Sequence, residues 1–398
     1  MSELLPVDEA LERVLEHARP LPGEDVRLEA ADGRYLVEPV VATLDLPPFT
    51  NSAVDGYAVR HPDVPGRLEV IGESAAGAPF TGVVGPGQAV TISTGAVLPE
   101  GADAVAPIEW VVGADGGSAI EVSRPVPQHY SVRRAGSDVR HGTEVLPAGL
   151  RVGAAQIAAA ASLGVSSLHC GCRPRVAVLT TGSELRPVGE RLGPGQIYDS
   201  NGPLLRASLR SAGAEITIVP TTADTREAHR AAIEQALEHD VVISTGGVSV
   251  GGHDLVREVE RELGVQEIFW RIAMKPGKPL SFGLRDHTLV FGVPGNPVSV
   301  LVCFELFVRP ALAALQGARH PRPAFTHATL AGAVEQNPER DEFIRVRRSG
   351  DGHVEPLAGQ QSHQLAITAL AEGLARIPAG TGTLAAGHQV DYLPLGVS

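Results

Sequence analysis

Residues 240–254 read DVVISTGGVSVGGHD. The first six are a short, apolar, β-branched run. They turn into a glycine-rich stretch that ends on Asp254, immediately before an amphipathic helical pattern over residues 255–263. A strand apolar on both faces belongs inside a sheet that is covered by helices. The same succession stands on either side. Upstream are the run RVAVLTT (175–181), a helical pattern over 202–212 left at Gly213, a strand at 215–220 and a helix at 226–239. Downstream are strands around 267–272 and 288–292 and a helix from Pro297 to about Leu315. This alternation predicts a doubly wound α/β domain with a mainly parallel sheet over residues 173–317.

Outside that unit the pattern changes. Val7, Ala10, Leu11, Val14, Leu15 and Ala18 fall on one helical face that Pro20 ends. Turn-rich extended sequence follows, and an Ala-rich helix over 154–163 stops at Gly164. After Gly317, HPRP reads as a linker, and FIRVR (343–347) heads a set of short alternating runs. The expected architecture is an α/β multidomain chain. Residues 1–45 and 135–172 make an N-terminal mixed α+β domain, with a β-rich domain, 46–134, inserted in it. Residues 173–317 are the α/β domain, and 318–398 are a small C-terminal β domain.

Composition narrows the function. The chain has 398 residues, 43% hydrophobic and 20% charged, as in ordinary globular proteins. A net charge of −13 repels a nucleic-acid backbone, so no nucleic-acid partner is expected. It does not prevent a few cations from holding a small anion in one cleft. Cys170, Cys172 and Cys303 are too few for a disulfide framework and suit reduced thiols in a cytoplasmic protein. The N-terminal residues mix acidic groups into an apolar pattern, so no signal or transit peptide is expected. No uninterrupted apolar run approaches ~18 residues, so no membrane span is expected. The fourteen histidines show no H-E-x-x-H, and there is no G-x-S-x-G.

In open α/β sheets ligands bind beyond the carboxyl ends of the strands. There the sequence places Thr181, Gly182 and Glu184 after the first strand and Asp224 after the second. Gly246, Gly247, Ser249, Gly251 and Asp254 follow the third, and Pro294, Asn296 and Pro297 the last. The glycine loop running into a helix reads either as an anion cradle or as a plain connection. KPGKP (275–279) presents Lys275 and Lys278 from a turn restricted by proline, as a clamp on phosphate or oxyanion or as a solvated turn. Carboxylates beside an anion site call for a counter-cation. Mg²⁺, which takes oxygen ligands, fits, with Glu184, Asp224 and Asp254 as candidate ligands. Asp254 reads equally as the cap of the helix it begins.

GGVSVGGHD, KPGKP and PGNPVS occur in this order, preceded by PPFTNSAVDGYAVR (47–60), ISTGAVLPEGADAVAPIE (92–109) and VRRAGSDV (132–139). The ordered set resembles the molybdopterin molybdenumtransferase family, which includes the C-terminal enzyme domain of gephyrin, and covers essentially the whole chain. The resemblance implies an enzyme that inserts molybdate into adenylylated molybdopterin at the dithiolene, cleaving the pyrophosphate with Mg²⁺ and releasing AMP. It implies an elongated homodimer of four-domain subunits, and transient contact with the adenylyltransferase and acceptor enzymes. Asp55, Thr94 and Asp138 are then expected to face the cleft from the partner subunit, opposite Glu184, Asp224 and Asp254. Lys275 and Lys278 are expected to bind the anionic substrate or molybdate, and Pro294 and Pro297 to shape the wall. Gly252-His253 stands where the family often has a polar or acidic residue, and Ser362-His363 echoes a family pattern. A non-catalytic scaffold of the same fold, the neighbouring adenylyltransferase and an unrelated Mg²⁺-dependent nucleotide hydrolase are the competing readings.

Overall fold

The computed structural model describes residues 4–114, 117–182, 184–220, 225–246, 255–350 and 352–396. Its centre is a six-stranded sheet. The strands are β1 Arg175–Thr180, β2 Glu215–Pro220, β3 Val241–Thr245, β4 Gln266–Trp270, β5 Ser281–Arg285 and β6 Thr288–Val293, in the order β2-β1-β3-β6-β5-β4. The first four in that order are parallel; β5 and β4 complete one edge in antiparallel fashion.

Side chains of a strand alternate between its faces, and here the alternation builds two cores. Val176 and Val178 of β1, with Val241, Ile243, Leu289 and Phe291, join one apolar cluster, together with Leu205 and Leu209 of the helix Asn201–Ser211. Ala177 and Leu179, with Val242 and Val290, join the other. There they meet Ile233 and Ala236 of the helix Arg226–Ala236 and Val256 and Val259 of Leu255–Glu262. A sheet buried on both faces needs strands that are apolar throughout, which is why these runs show no polar alternation.

Two features differ from the sequence expectation. Strand β5 is additional, joined to β6 by a two-residue turn in which Asp286 takes φ +54°. The helix Pro297–Leu315 is also long and apolar enough to cross a membrane by length and composition, although no such run was expected. It is a core helix, with 72% of its most apolar stretch buried inside the protein. Its apolar course is broken by a bidentate ion pair between Glu305 and Arg309. Its Phe304–Val308 portion is a π-helix just ahead of Pro310, which has no N–H for the carbonyl four residues back.

The N-terminal helix Val7–His17 packs its Val7, Ala10, Leu11 and Val14 face into the first of the two α/β clusters. Beyond it, Gly23–Arg27 pairs antiparallel with Ser167–Gly171, and Val40–Val41 with Glu144–Leu146, so the two ends of this region close on each other. Between them lies a six-stranded sheet that includes Gly56–Val59, Gly66–Ser74 and Gln88–Ile92. At the C-terminus, Asp341–Ser349, His353–Pro356, Thr326–Leu330, Gln389–Pro394 and Gly373–Ile377 pair in turn, and the last returns to the first, closing a small barrel. Met274–Lys275 adds to that barrel in parallel beside Asp341 and Glu342. The barrel is thereby tied to the loop that leaves β4.

Candidate functional site

The carboxyl ends of β1, β3 and β6 are stitched together. Thr181 donates its N–H and its hydroxyl to the Thr245 carbonyl, at 3.2 and 3.1 Å, and the Gly246 N–H reaches the Val293 carbonyl at 3.4 Å. Gly246 has φ +88°, and a Cβ there would lie 2.8 Å from the Thr181 carbonyl oxygen, so the close approach requires glycine. With β2 on one side of β1 and β3 on the other, this is where the strand order reverses, the place at which such sheets receive ligands.

A cavity of about 660 Å³ opens there. Thr181, Glu184, Thr245, Gly246 and the turn Pro294-Gly295-Asn296-Pro297 line it. Among the polar residues that line it without being expected there from the sequence are Asp199 and Asn201. Asp199 accepts from the Gly202 N–H at 2.9 Å, and the buried Asn201 amide donates to the Gly295 carbonyl at 2.7 Å, pinning the proline-flanked turn.

A second cavity of about 270 Å³ adjoins it, sharing Pro279, Pro294 and Asn296. It is cationic: Lys275, Lys278 and Arg340 all line it. The Lys275 ammonium donates to Glu342 at 2.8 Å, so backbone pairing and an ion pair fix it together. Among the described residues neither Lys278 nor Arg340 has an acidic partner. The turn itself is tight, with the Ile272 N–H bonded to the Lys278 carbonyl and the Leu280 N–H to Gly277. Gly277 has φ +111°, and a Cβ there would meet Met274 Cε at 2.2 Å and Cys303 Sγ at 2.9 Å. Of the chain's 33 Lys and Arg residues only two are lysines, and both stand in this turn. Lysine is a compact point charge on a flexible stem, whereas arginine is a planar fork; a chain that uses arginine everywhere else keeps lysine here.

Elsewhere, Asp55 and Thr94 meet. Asp55 accepts from the Thr94 N–H at 2.7 Å and from its hydroxyl at 3.0 Å. These bonds, the backbone one first, hold the Asp55 carboxyl below the usual range. Asp138 is exposed on a segment that runs beside residues 46–53, its N–H bonded to the Leu46 carbonyl at 2.9 Å. None of these three lines either cavity of this subunit. Glu184, Thr181, Gly246, Lys275, Lys278, Pro294, Asn296 and Pro297 line one cavity or the other, and Gly182 flanks them with Glu184 folded over it. Asp224, Gly247, Ser249, Gly251 and Asp254 lie outside the described residues. Among the described residues no group of three His, Cys, Asp or Glu could hold a metal ion.

The sequence as a whole matches three family descriptions in order. They are the MoeA N-terminal region (domain I and II) over residues 5–164, the "probable molybdopterin binding domain" over 177–314, and the MoeA C-terminal region (domain IV) over 327–395. The molybdopterin molybdenumtransferase of Staphylococcus aureus is 34% identical over 400 residues, covering 98% of this chain and 95% of that protein. The chain belongs to the molybdopterin molybdenumtransferase family. With it comes its class: a transferase of molybdenum cofactor biosynthesis. The Staphylococcus epidermidis molybdopterin molybdenumtransferase is 32% identical over 401 residues, covering 97% of this chain and 94% of that protein. Two solved structures of the molybdopterin biosynthesis MoeA protein of Pyrococcus horikoshii superpose with TM-scores of 0.81 and 0.84. They are 33% and 29% identical and cover 100% and 98% of this chain and all of theirs. The family's domain division places the two cavities between its molybdopterin-binding domain and domain IV.

Proposed function

We propose that the two adjoining cavities are the reaction site of a molybdopterin molybdenumtransferase acting on adenylylated molybdopterin and molybdate. The observation that carries this reading is the contrast between them across the shared Pro294 and Asn296. One is bordered by carboxylates and strand-end backbone, the other by three cations. A substrate with a diphosphate link and a neighbouring dithiolene, meeting a tetrahedral oxyanion, needs such a pair of environments. The oxyanion sits among Lys275, Lys278 and Arg340, which neutralise it in a site arranged beforehand. The dithiolene is held against it, and the diphosphate lies at the switch point, beside the N-terminal end of the helix Asn201–Ser211, whose dipole favours negative charge. The protein supplies position and charge.

Glu184 and Asp199 offer hard oxygen donors at this rim and suit Mg²⁺ better than a softer metal. Held by these carboxylates, Mg²⁺ would supply charge neutralisation for the diphosphate. Asp55, Thr94 and Asp138 complete the site from a second copy of the chain in a homodimer. The Asp55–Thr94 pair supports this: it is a preformed carboxylate on the inserted domain that the cavities of its own subunit do not use.

The test is an assay with purified protein, adenylylated molybdopterin, molybdate and Mg²⁺, following AMP. AMP release that requires molybdate is expected. Release at the same rate without molybdate, or turnover of simple nucleotides instead, overturns the reading.

A further inference from the structure

The largest fully buried side chain among the described residues is a cation, Arg345, 1% exposed on the barrel strand Asp341–Ser349. Its neighbours on that strand, Phe343, Ile344 and Val346, are apolar core residues. Burying a charge is costly, and a barrel of this kind is stabilised as well or better by an apolar side chain. Arg345 therefore needs a reason beyond barrel packing.

A guanidinium carries five N–H groups. All five of Arg345 find acceptors. Nε donates to the Gln360 amide oxygen at 3.2 Å. Nη1 donates to the Gln364 carbonyl at 3.1 Å and the Thr368 hydroxyl at 2.9 Å. Nη2 donates to the carbonyls of Gly359 at 2.7 Å and Gln361 at 3.3 Å. The Arg345 backbone joins in, its N–H bonded to the Gln360 amide oxygen at 2.9 Å and its carbonyl to the Gln360 amide nitrogen at 3.0 Å. Every acceptor belongs to residues 359–368. Among the described residues none is a carboxylate, and no acidic partner offsets the charge behind this segment.

That segment has one short helix of its own, Leu365–Thr368. It delivers Gln360, Gln361 and Ser362 to the cationic cavity, and His363 and Leu365 to the larger one. Ser362 also accepts from the Asn296 amide at 2.9 Å, at one of the residues both cavities share.

We propose that Arg345 is a positioning residue for the transfer reaction. It holds residues 359–368 from behind so that Ser362 closes the oxyanion cavity against Asn296, and its positive charge adds to the attraction for a divalent oxyanion. The inference rests on the reading of the cationic cavity as the oxyanion site.

The experiment uses the full-length protein and sodium molybdate alone, titrated calorimetrically, followed by the assay with molybdate and adenylylated substrate varied in turn. Two variants are compared. Arg345→Lys keeps the charge but has at most three of the five donors. Thr368→Val removes one acceptor without touching either cavity. Thermal melting monitors folding. Arg345→Lys is expected to weaken molybdate binding ~10- to 100-fold, and Thr368→Val several-fold, as loss of charge-assisted hydrogen bonds does. The half-saturating concentration of molybdate should rise in step, while that of the adenylylated substrate, and kcat at saturating molybdate, stay within about twofold. Combining Arg345→Lys with Ser362→Ala should cost less than the sum of the two, since both disturb one contact. If Lys278→Ala weakens molybdate binding and folded Arg345→Lys and Thr368→Val do not, the positioning role is wrong. If Lys278→Ala leaves binding unchanged, the oxyanion assignment itself is wrong. Should Arg345→Lys fail to fold, Thr368→Val alone decides.

Discussion

Lys275 and Lys278 differ in what holds them. Lys275 is paired to Glu342 and locked by strand pairing to the barrel, while Lys278 lines the cavity with no acidic partner among the described residues. Both should resist replacement by arginine, whose longer planar fork cannot occupy a pocket shaped for a point charge. Lys278→Arg is expected to weaken molybdate binding ~10-fold or more, by the strength of one charged hydrogen bond, with melting temperature unchanged; full affinity in that variant would show that charge alone is required. Asp55 offers a second residue-scale test. Thr94→Val removes the hydroxyl donor and keeps the backbone one, so NMR titration should show the Asp55 pKa rising part of the way toward its ordinary value. A value unmoved from wild type would mean that the backbone bond sets it alone. The sign for stability follows from the depressed pKa. The pair contributes above the unfolded-state value, and that contribution is lost as pH falls through the folded-state value.

At the scale of elements, the helix Val7–His17 is part of the α/β core rather than an appendage, because its apolar face is shared with Val176, Leu205 and Phe282. Leu11→Ala, at a site 7% exposed, should destabilise the protein by ~2–4 kcal/mol in chemical denaturation. A loss below about 0.5 kcal/mol, as for a surface substitution, would contradict this packing. The parallel strands were legible in the sequence because burial on both faces leaves unbroken apolar runs such as RVAVL. Strand β5 was not. Its SFGLR is short and follows a proline turn, and its hairpin uses Asp286-His287 instead of the Asn-Gly or Asp-Gly pair that announces such turns. Asn201 opens the helix Asn201–Ser211, and Asp199 accepts from its Gly202 N–H, a local role common at helix starts. Their place on the cavity depends on where Pro294–Pro297 folds back, which no local pattern encodes. Arg345 was read as an arginine interleaved among apolar residues of a strand. Its acceptors are mostly backbone carbonyls well downstream, and carbonyls carry no sequence signal.

On the scale of the whole molecule, the site is made by docking. The loop that leaves β4 pairs with the barrel through Met274–Lys275, so Arg340 and Ser362 reach the cavities from a domain whose sequence shows only alternating strands. The inserted domain presents Asp55 and Thr94 in a region that its own cavities do not include. In a two-fold symmetric dimer each site would then draw on both chains. Mixing two inactive variants tests this most directly. Asp55→Ala and Lys275→Ala are each purified, co-unfolded mildly or co-expressed to exchange subunits, and assayed for molybdate-dependent AMP release. If the site is shared between subunits, half of the randomly paired dimers carry one intact site, and activity returns to about a quarter of wild type. If the mixture, with subunit exchange verified, stays as inactive as either variant alone, the residues act within one chain and the shared site is refuted.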